Sequence, residues 1–162
     1  MPLKKSSAAD SFMARAIALS HENIRSNRGG PFAAVIVKGG KIVAEGTNRV
    51  TSTNDPTAHA EIVAIREACH KLKRFDLTGC EIYATCEPCP MCLGALYWAR
   101  LAKIYFANTA ADAAKIGFDD SAIYREIRRP AAQRRIPMIS LMRADALEVF
   151  RAWKNKKDKI PY

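Results

Sequence analysis

Apolar positions recur along the chain with two different periods, and the switches between them outline a layered fold. In residues 11–26, Phe12, Met13, Ala16, Ile17 and Ile24 return at helical spacing. Asn27-Arg28-Gly29-Gly30-Pro31 ends that pattern. Two short apolar runs, 33–37 and 41–45, then flank Gly39-Gly40, the mark of a tight hairpin. Residues 48–56 are polar and rich in breakers, and read as a loop. A second helix is expected over about 58–72, with Ile62, Ile65 and Cys69 on one face. A strand at 81–84, a helix at 89–100 and a strand at 103–107 follow. Beyond them the pattern thins to a loop and short helix in 117–128, a short apolar run at 137–141 and a last helix near 143–153.

A helix–strand–helix–strand succession argues for right-handed crossovers and a sheet covered on both faces. The expected fold is therefore a three-layer α/β/α domain around a central mixed sheet of about five strands, the first two antiparallel. The whole of 1–162 is expected to form one domain, with its core in about 10–142 and a C-terminal helix and tail in 143–162. A hydrophobic fraction of 49% with 26% charged residues is what a soluble globular chain carries. Apolar runs stay far below the roughly 18 residues of a membrane span, and residues 1–10 lack the apolar core of a signal peptide. A cytoplasmic protein without membrane contact is expected.

Net charge changes the picture only a little. At +10 it keeps nucleic acid open as a partner, but the basic residues read as spread along the chain, and the densest run, 154–159, suits a solvated tail. The five cysteines say more. Cys86, Cys89 and Cys92 fall within seven residues, leaving Cys69 and Cys80 apart, and such an odd, clustered set fits thiol or metal chemistry better than a disulfide framework.

His59-Ala60-Glu61 opens one predicted helix and Pro88-Cys89-Pro90-Met91-Cys92 opens the next. Cys89 and Cys92 are three apart and so share one face of a first turn. Pro90 suits the first helical position, which leaves Cys89 as the cap. Unpaired N–H groups and the helix dipole favour thiolates there. One imidazole and two thiolates give Zn²⁺ three protein ligands and an open fourth position, the arrangement of a catalytic site. Cys86 offers an alternative, a closed Cys₃His structural site in a non-catalytic zinc module; that reading leaves Glu61 without a task. His21 and His70 fall late in their helices and read as surface or helix-end residues.

H-x-E followed by P-C-x-x-C is the signature of zinc-dependent deaminases. On these residues the chain resembles the cytidine/deoxycytidylate deaminase superfamily. From about residue 10 to its end it is similar to the bacterial guanine deaminases. Residues 29–35, 54–61, 86–92, Tyr97-Trp98-Ala99-Arg100 and Gly117-Phe118-Asp119-Asp120 carry that likeness. The resemblance implies a cytidine deaminase-like domain with one Zn²⁺ per chain on His59, Cys89 and Cys92, and Glu61 as the proton shuttle. It implies hydrolysis of a small purine base, guanine, to xanthine and ammonia. Asn48 and the backbone N–H of Ala60 would meet the edge of the ring, with Phe32 and Trp98 as apolar or stacking surface. Ordinary core packing for the two aromatics, and a turn for Asn48, are the plainer readings.

Asp120 would be a second carboxylate, assisting protonation of the leaving ammonia, unless it caps a helix at 121–128; Asp119 could exchange roles with it. By the same resemblance the C-terminal segment closes over the site. A homodimer is then expected in which Tyr162 covers a pocket, its own or the neighbour's by exchange of the segment. Nucleic acid is not expected as a partner. The rivals are a transfer-RNA adenosine deaminase, to which the +10 charge points, and a guanosine or cytosine deaminase.

Overall fold

The computed structural model describes residues 7–162; the stretch 1–6 of the segment expected to lack a targeting core lies outside the described residues. The chain divides into two compact units, one ending at Asp120 and the other Ser121–Tyr162.

The first unit opens with α1 (Ala8–Arg25). It starts three residues before the apolar periodicity does, because Ser7 and Asp10 form a capping box: the Ser7 N–H donates to Asp10 at 2.8 Å and the Asp10 N–H to the Ser7 hydroxyl at 3.2 Å. β1 (Ala33–Lys38) and β2 (Lys41–Thr47) form the expected hairpin around Gly39 and Gly40, both at positive φ. The polar loop then contains one helical turn, α2 (Val50–Thr53), before α3 (Ala60–Leu72). β3 (Cys80–Cys86), α4 (Pro90–Trp98) and β4 (Lys103–Asn108) follow as expected, and α5 (Ala110–Lys115) is an addition.

The sheet order is β2-β1-β3-β4, antiparallel at its first two pairings and parallel between β3 and β4. Mixed pairing was expected, and four strands form this sheet among the described residues where about five were anticipated. β1 is buried along nearly its whole length because both its faces are covered. Ala33, Val35 and Val37 pack with Ala16 and Leu19 of α1 on one side. Ala34 and Ile36 pack on the other with Ala64 and Ala68 of α3 and Leu96 of α4. The period of two along one strand thus builds both interfaces of the α/β/α sandwich.

Gly46 sets where α3 begins. A Cβ there would overlap Ala60 O and lie 2.6 Å from Ala64 N, so the first turn of α3 rests directly on β2. That contact aims the start of α3, with His59 and Glu61, at the end of the sheet where β3 delivers α4.

The second unit holds α6 (Ser121–Arg128), a 3-10 turn at Ala131–Gln133 and α7 (Arg143–Asn155). Glu126 accepts from the Arg135 N–H at 2.7 Å, and the Arg134 guanidinium reaches Ile127 O at 3.3 Å, tying α6 to the segment after it. The apolar run 137–141 is irregular and exposed rather than a strand. Pro137 brings no N–H to a ladder, and nothing in this unit pairs with the run. The charge is also less even than the sequence suggests: residues 121–162 hold eleven Lys and Arg against four Asp and Glu, seven of the ten net charges. The unit that bears the metal-binding motif is therefore only weakly basic.

Candidate active site

Two helix N-termini meet at the site. His59 is the N-cap of α3, so its side chain leaves the chain before the helix begins, and Glu61 follows in the first turn. Cys89 is the N-cap of α4, its sulfur accepting from the Cys92 N–H at 3.5 Å, and Pro90 holds the first helical position. His59, Cys89 and Cys92 come together with their ligand atoms all within 4.8 Å of one another, and no other such group of three or more forms among the described residues.

The spacing fits a metal. Zinc in tetrahedral coordination, with Zn–S of about 2.3 Å and Zn–N of about 2.0–2.1 Å, separates nitrogen from sulfur by about 3.5 Å. His59 Nδ1 lies 3.5 Å from the sulfur of Cys89 and 3.5 Å from that of Cys92. Three protein donors are one fewer than the four of a closed structural site, which is the count a catalytic site requires.

The protonation of the group follows from its crowding. The Cys92 thiol beside it, and then His59, hold the Cys89 thiol down at about 4 against the opposing effect of burial. Cys92 is pushed far up, first by Cys89 and then by burial. A metal takes both sulfurs as thiolates, so loading it releases whatever thiol protons the pair still holds. His59 is raised by its bond to Cys89. Glu61 is only 8% exposed, and burial raises its carboxyl above the usual range. The Cys92 thiol donates to Glu61 Oε2 at 3.4 Å, so the carboxyl touches the metal-ligand group without belonging to it.

Cys86 stands apart. It ends β3 and donates through Sγ to Thr109 O at 3.6 Å, and burial pushes its thiol up to about 11. Such a group is a neutral structural thiol, and the Cys₃His arrangement is not what the chain builds. Cys86→Ser should keep metal at the wild-type level and retain most activity. Metal analysis showing loss of the ion would return the closed site.

A family profile described as the cytidine and deoxycytidylate deaminase zinc-binding region matches residues 6–108. The chain belongs to that family. Among relatives of this deaminase family it is 51% identical to the guanine deaminase of Bacillus subtilis over 94% of this chain and 98% of the other. The X-ray structure of the Bacillus subtilis guanine deaminase superposes with a TM-score of 0.92 over the same shares of the two chains. The guanine deaminase of Nitrosomonas europaea is 35% identical, with a TM-score of 0.67 over 74% of this chain and 69% of that one. The tRNA-specific adenosine deaminase of Aquifex aeolicus is 49% identical over only 48% of this chain and 51% of its own.

Of the other anticipated deaminase residues, Asp120 lies within electrostatic reach of Cys89. Asp120 is half-buried, and burial followed by the negative Cys89 raises its carboxyl. Phe32 packs edge-on against Phe118 at 4.9 Å between centroids and lines a cavity of about 230 Å³ with Cys86, Asn108 and Ile116. Asn48 is buried, its Oδ1 accepting from the N–H of Gly30 at 3.2 Å and of Val50 at 3.3 Å. Ala60 holds one of the first N–H groups of α3, which have no acceptor within the helix.

Trp98 departs from the core-packing reading, being 73% exposed. It ends α4, about 13 Å along the helix from Cys89. Tyr162 ends the second unit and is exposed. Glu87 is a further residue of the site region that the sequence pattern does not single out. Its carboxylate accepts from the Ala110 N–H at 2.9 Å and its own N–H donates to Asn108 O at 2.8 Å, so it pins the loop before Cys89 to the start of α5. Thr85, accepting from the Ala33 N–H at 3.0 Å, is a second such brace. Neither stands in a pattern that a single sequence betrays.

Proposed function

We propose that the chain is a zinc-dependent hydrolase that converts guanine to xanthine and ammonia, with one zinc ion per chain on His59, Cys89 and Cys92. The observation that carries the reading is the buried Glu61 carboxyl in contact with Cys92 yet outside the ligand triad. Zinc bound there would bring the pKa of a coordinated water close to neutrality. Glu61 would accept a proton from the attacking water and deliver protons to the ring nitrogen and the departing amine. Its carboxyl oxygen lies 3.4 Å from the Cys92 sulfur, beside the ligand group where these transfers would take place. Asp120 would assist at the leaving nitrogen.

The base would lie against Phe32, with its edge met by Asn48 and the Ala60 N–H. With its oxygen engaged by two backbone amides, Asn48 offers its NH₂ end, a donor suited to an acceptor on the ring. Likeness over nearly the full chain to a guanine deaminase supports guanine as substrate, while the transfer-RNA deaminase shares only about half. The weak charge of the first unit points the same way. Conversion of guanine by the zinc-loaded chain, followed as loss of guanine with equal gain of xanthine and ammonia, tests the reading. Metal-loaded protein inert on guanine would sink it.

We place the protein in the cytoplasm as a homodimer. No helix of the described residues is long and apolar enough to cross a membrane. An exposed tryptophan about 13 Å from Cys89 is better placed to stack on a base in a neighbouring copy than in its own site. Tyr162 would cover the bound base, in the same or the neighbouring chain. Deleting Ile160, Pro161 and Tyr162 should then lower kcat/KM on guanine by about 10²-fold, because an open pocket positions the ring poorly. The melting temperature and zinc content should stay near wild type. Unchanged steady-state rates would mean a merely solvated tail.

A further inference from the structure

We propose that Asn23, on the last turns of α1, is a positioning residue for base selection: its buried carboxamide ties the Gly30 and Asn48 carbonyls together and so keeps the Gly30 N–H on Asn48 Oδ1, which leaves the amide a donor for a ring oxygen rather than a ring amine. The inference rests on guanine as substrate.

Asn23 is 3% exposed, and its side-chain hydrogen bonds go to loop carbonyls rather than to the metal-binding group. Its Nδ2 donates to Gly30 O at 3.0 Å and to Asn48 O at 3.0 Å. Both partners are carbonyls, so only the nitrogen end of the amide can face them. The other end, Oδ1, is buried without a hydrogen-bond partner. An unmatched buried oxygen is costly, and an apolar side chain of similar shape would avoid it. What the amide fork holds is therefore the feature to explain.

The fork joins two loops. Gly30 belongs to the turn that leads to Phe32, and Asn48 follows β2. Around it, the Phe32 N–H donates to Gly30 O at 2.8 Å and the Asn48 N–H to Phe32 O at 3.0 Å. The Gly30 and Val50 N–H groups both donate to Asn48 Oδ1. A flipped Asn48 amide would set its NH₂ against those two donors. The other end of the amide is thus a donor only, for as long as Gly30 and Asn48 keep their places. Gly29 guards the opposite side: a Cβ there would overlap Asn48 O and lie 2.7 Å from its Oδ1.

Guanine and 2,6-diaminopurine carry the same 2-amino group and differ at C6, oxo in one and amino in the other. A fixed donor prefers the oxo ring. A carboxamide free to turn presents its oxygen to the amino ring equally well, so loss of the lock erodes selectivity rather than the chemical step.

The experiment compares wild type, Asn23→Ala and Asn23→Leu, each zinc-loaded. It measures kcat/KM for guanine against kcat/KM or the competitive inhibition constant for 2,6-diaminopurine. Leucine has nearly the shape of asparagine without its amide, so Asn23→Leu fills the same space and keeps the test open should Asn23→Ala fold poorly. In each variant the preference for guanine should fall about five- to tenfold. The change should come mainly from KM on guanine, with metal content and kcat near wild type. A parallel loss on both rings, leaving the preference unchanged, would overturn the inference and make Asn23 a structural brace only. Wild-type protein inert on guanine would instead overturn the substrate reading, and this inference with it.

Discussion

Glu61→Gln should leave the chain folded and loaded with about one zinc per chain while lowering kcat on guanine by about 10²–10⁴-fold. The substitution keeps the shape of a side chain that is nearly buried in the first turn of α3, so packing against Cys92 survives. It removes the ability to take up and return a proton. A ligand would behave differently: replacing it would reduce the metal content together with the rate. Glu61 touches the ligand group through one sulfur and makes no part of the triad, so metal and rate should separate. Metal analysis beside steady-state kinetics decides this, and zinc lost in step with activity would contradict the assigned role.

Cys92→Ala should abolish activity by the other route. Cys92 is fully buried in the first turn of α4, and its loss leaves His59 and Cys89 as the only members of the triad. Two ligands do not hold zinc at the level that three do, so metal content should fall below about a tenth per chain. Metal bound only to the folded state adds to its stability, and the variant forfeits that addition along with a small packing loss. The melting temperature of the wild type should drop by several degrees with a chelator, and that of Cys92→Ala should barely respond. An equal chelator effect on both would mean that the ion is held elsewhere. Cys86→Ser supplies the contrast, since a sulfur bonded to Thr109 O has no share in the metal.

The elements that proved legible are those with a strong local cause. Gly39-Gly40 dictates a hairpin whatever surrounds it, and Pro90 after Cys89 places a helix start to the residue. The His59, Glu61, Cys89 and Cys92 spacing was readable for the same reason: each residue sits at a helix beginning, where side chains project ahead of the axis. α5 was missed because Ala110-Ala111-Asp112-Ala113-Ala114-Lys115 offers no large apolar period, and its Thr109–Asp112 capping box is the signal that could have found it. The start of α1 was misplaced for want of the same signal at Ser7 and Asp10. The apolar stretch at 137–141 shows the opposite limit, since strand composition without a pairing neighbour stays irregular.

Asn23, Thr85 and Glu87 were invisible because their meaning lies in partners far along the chain. Thr85 is 52 residues from the Ala33 amide it receives, and Asn23 is 25 from the Asn48 carbonyl it holds. Trp98 was ambiguous in sequence, since an aromatic on an apolar helix belongs in a core by default. Only its exposure separates it from that default.

The central claim is that this site deaminates a free purine base. Ammonia release by the zinc-loaded chain, measured as kcat/KM across free guanine, guanosine, cytosine, adenine and transfer RNA, tests it most directly. Guanine should exceed every other substrate, with transfer RNA inert. Turnover of transfer RNA above that of guanine, or of cytosine or guanosine above it, would contradict the account.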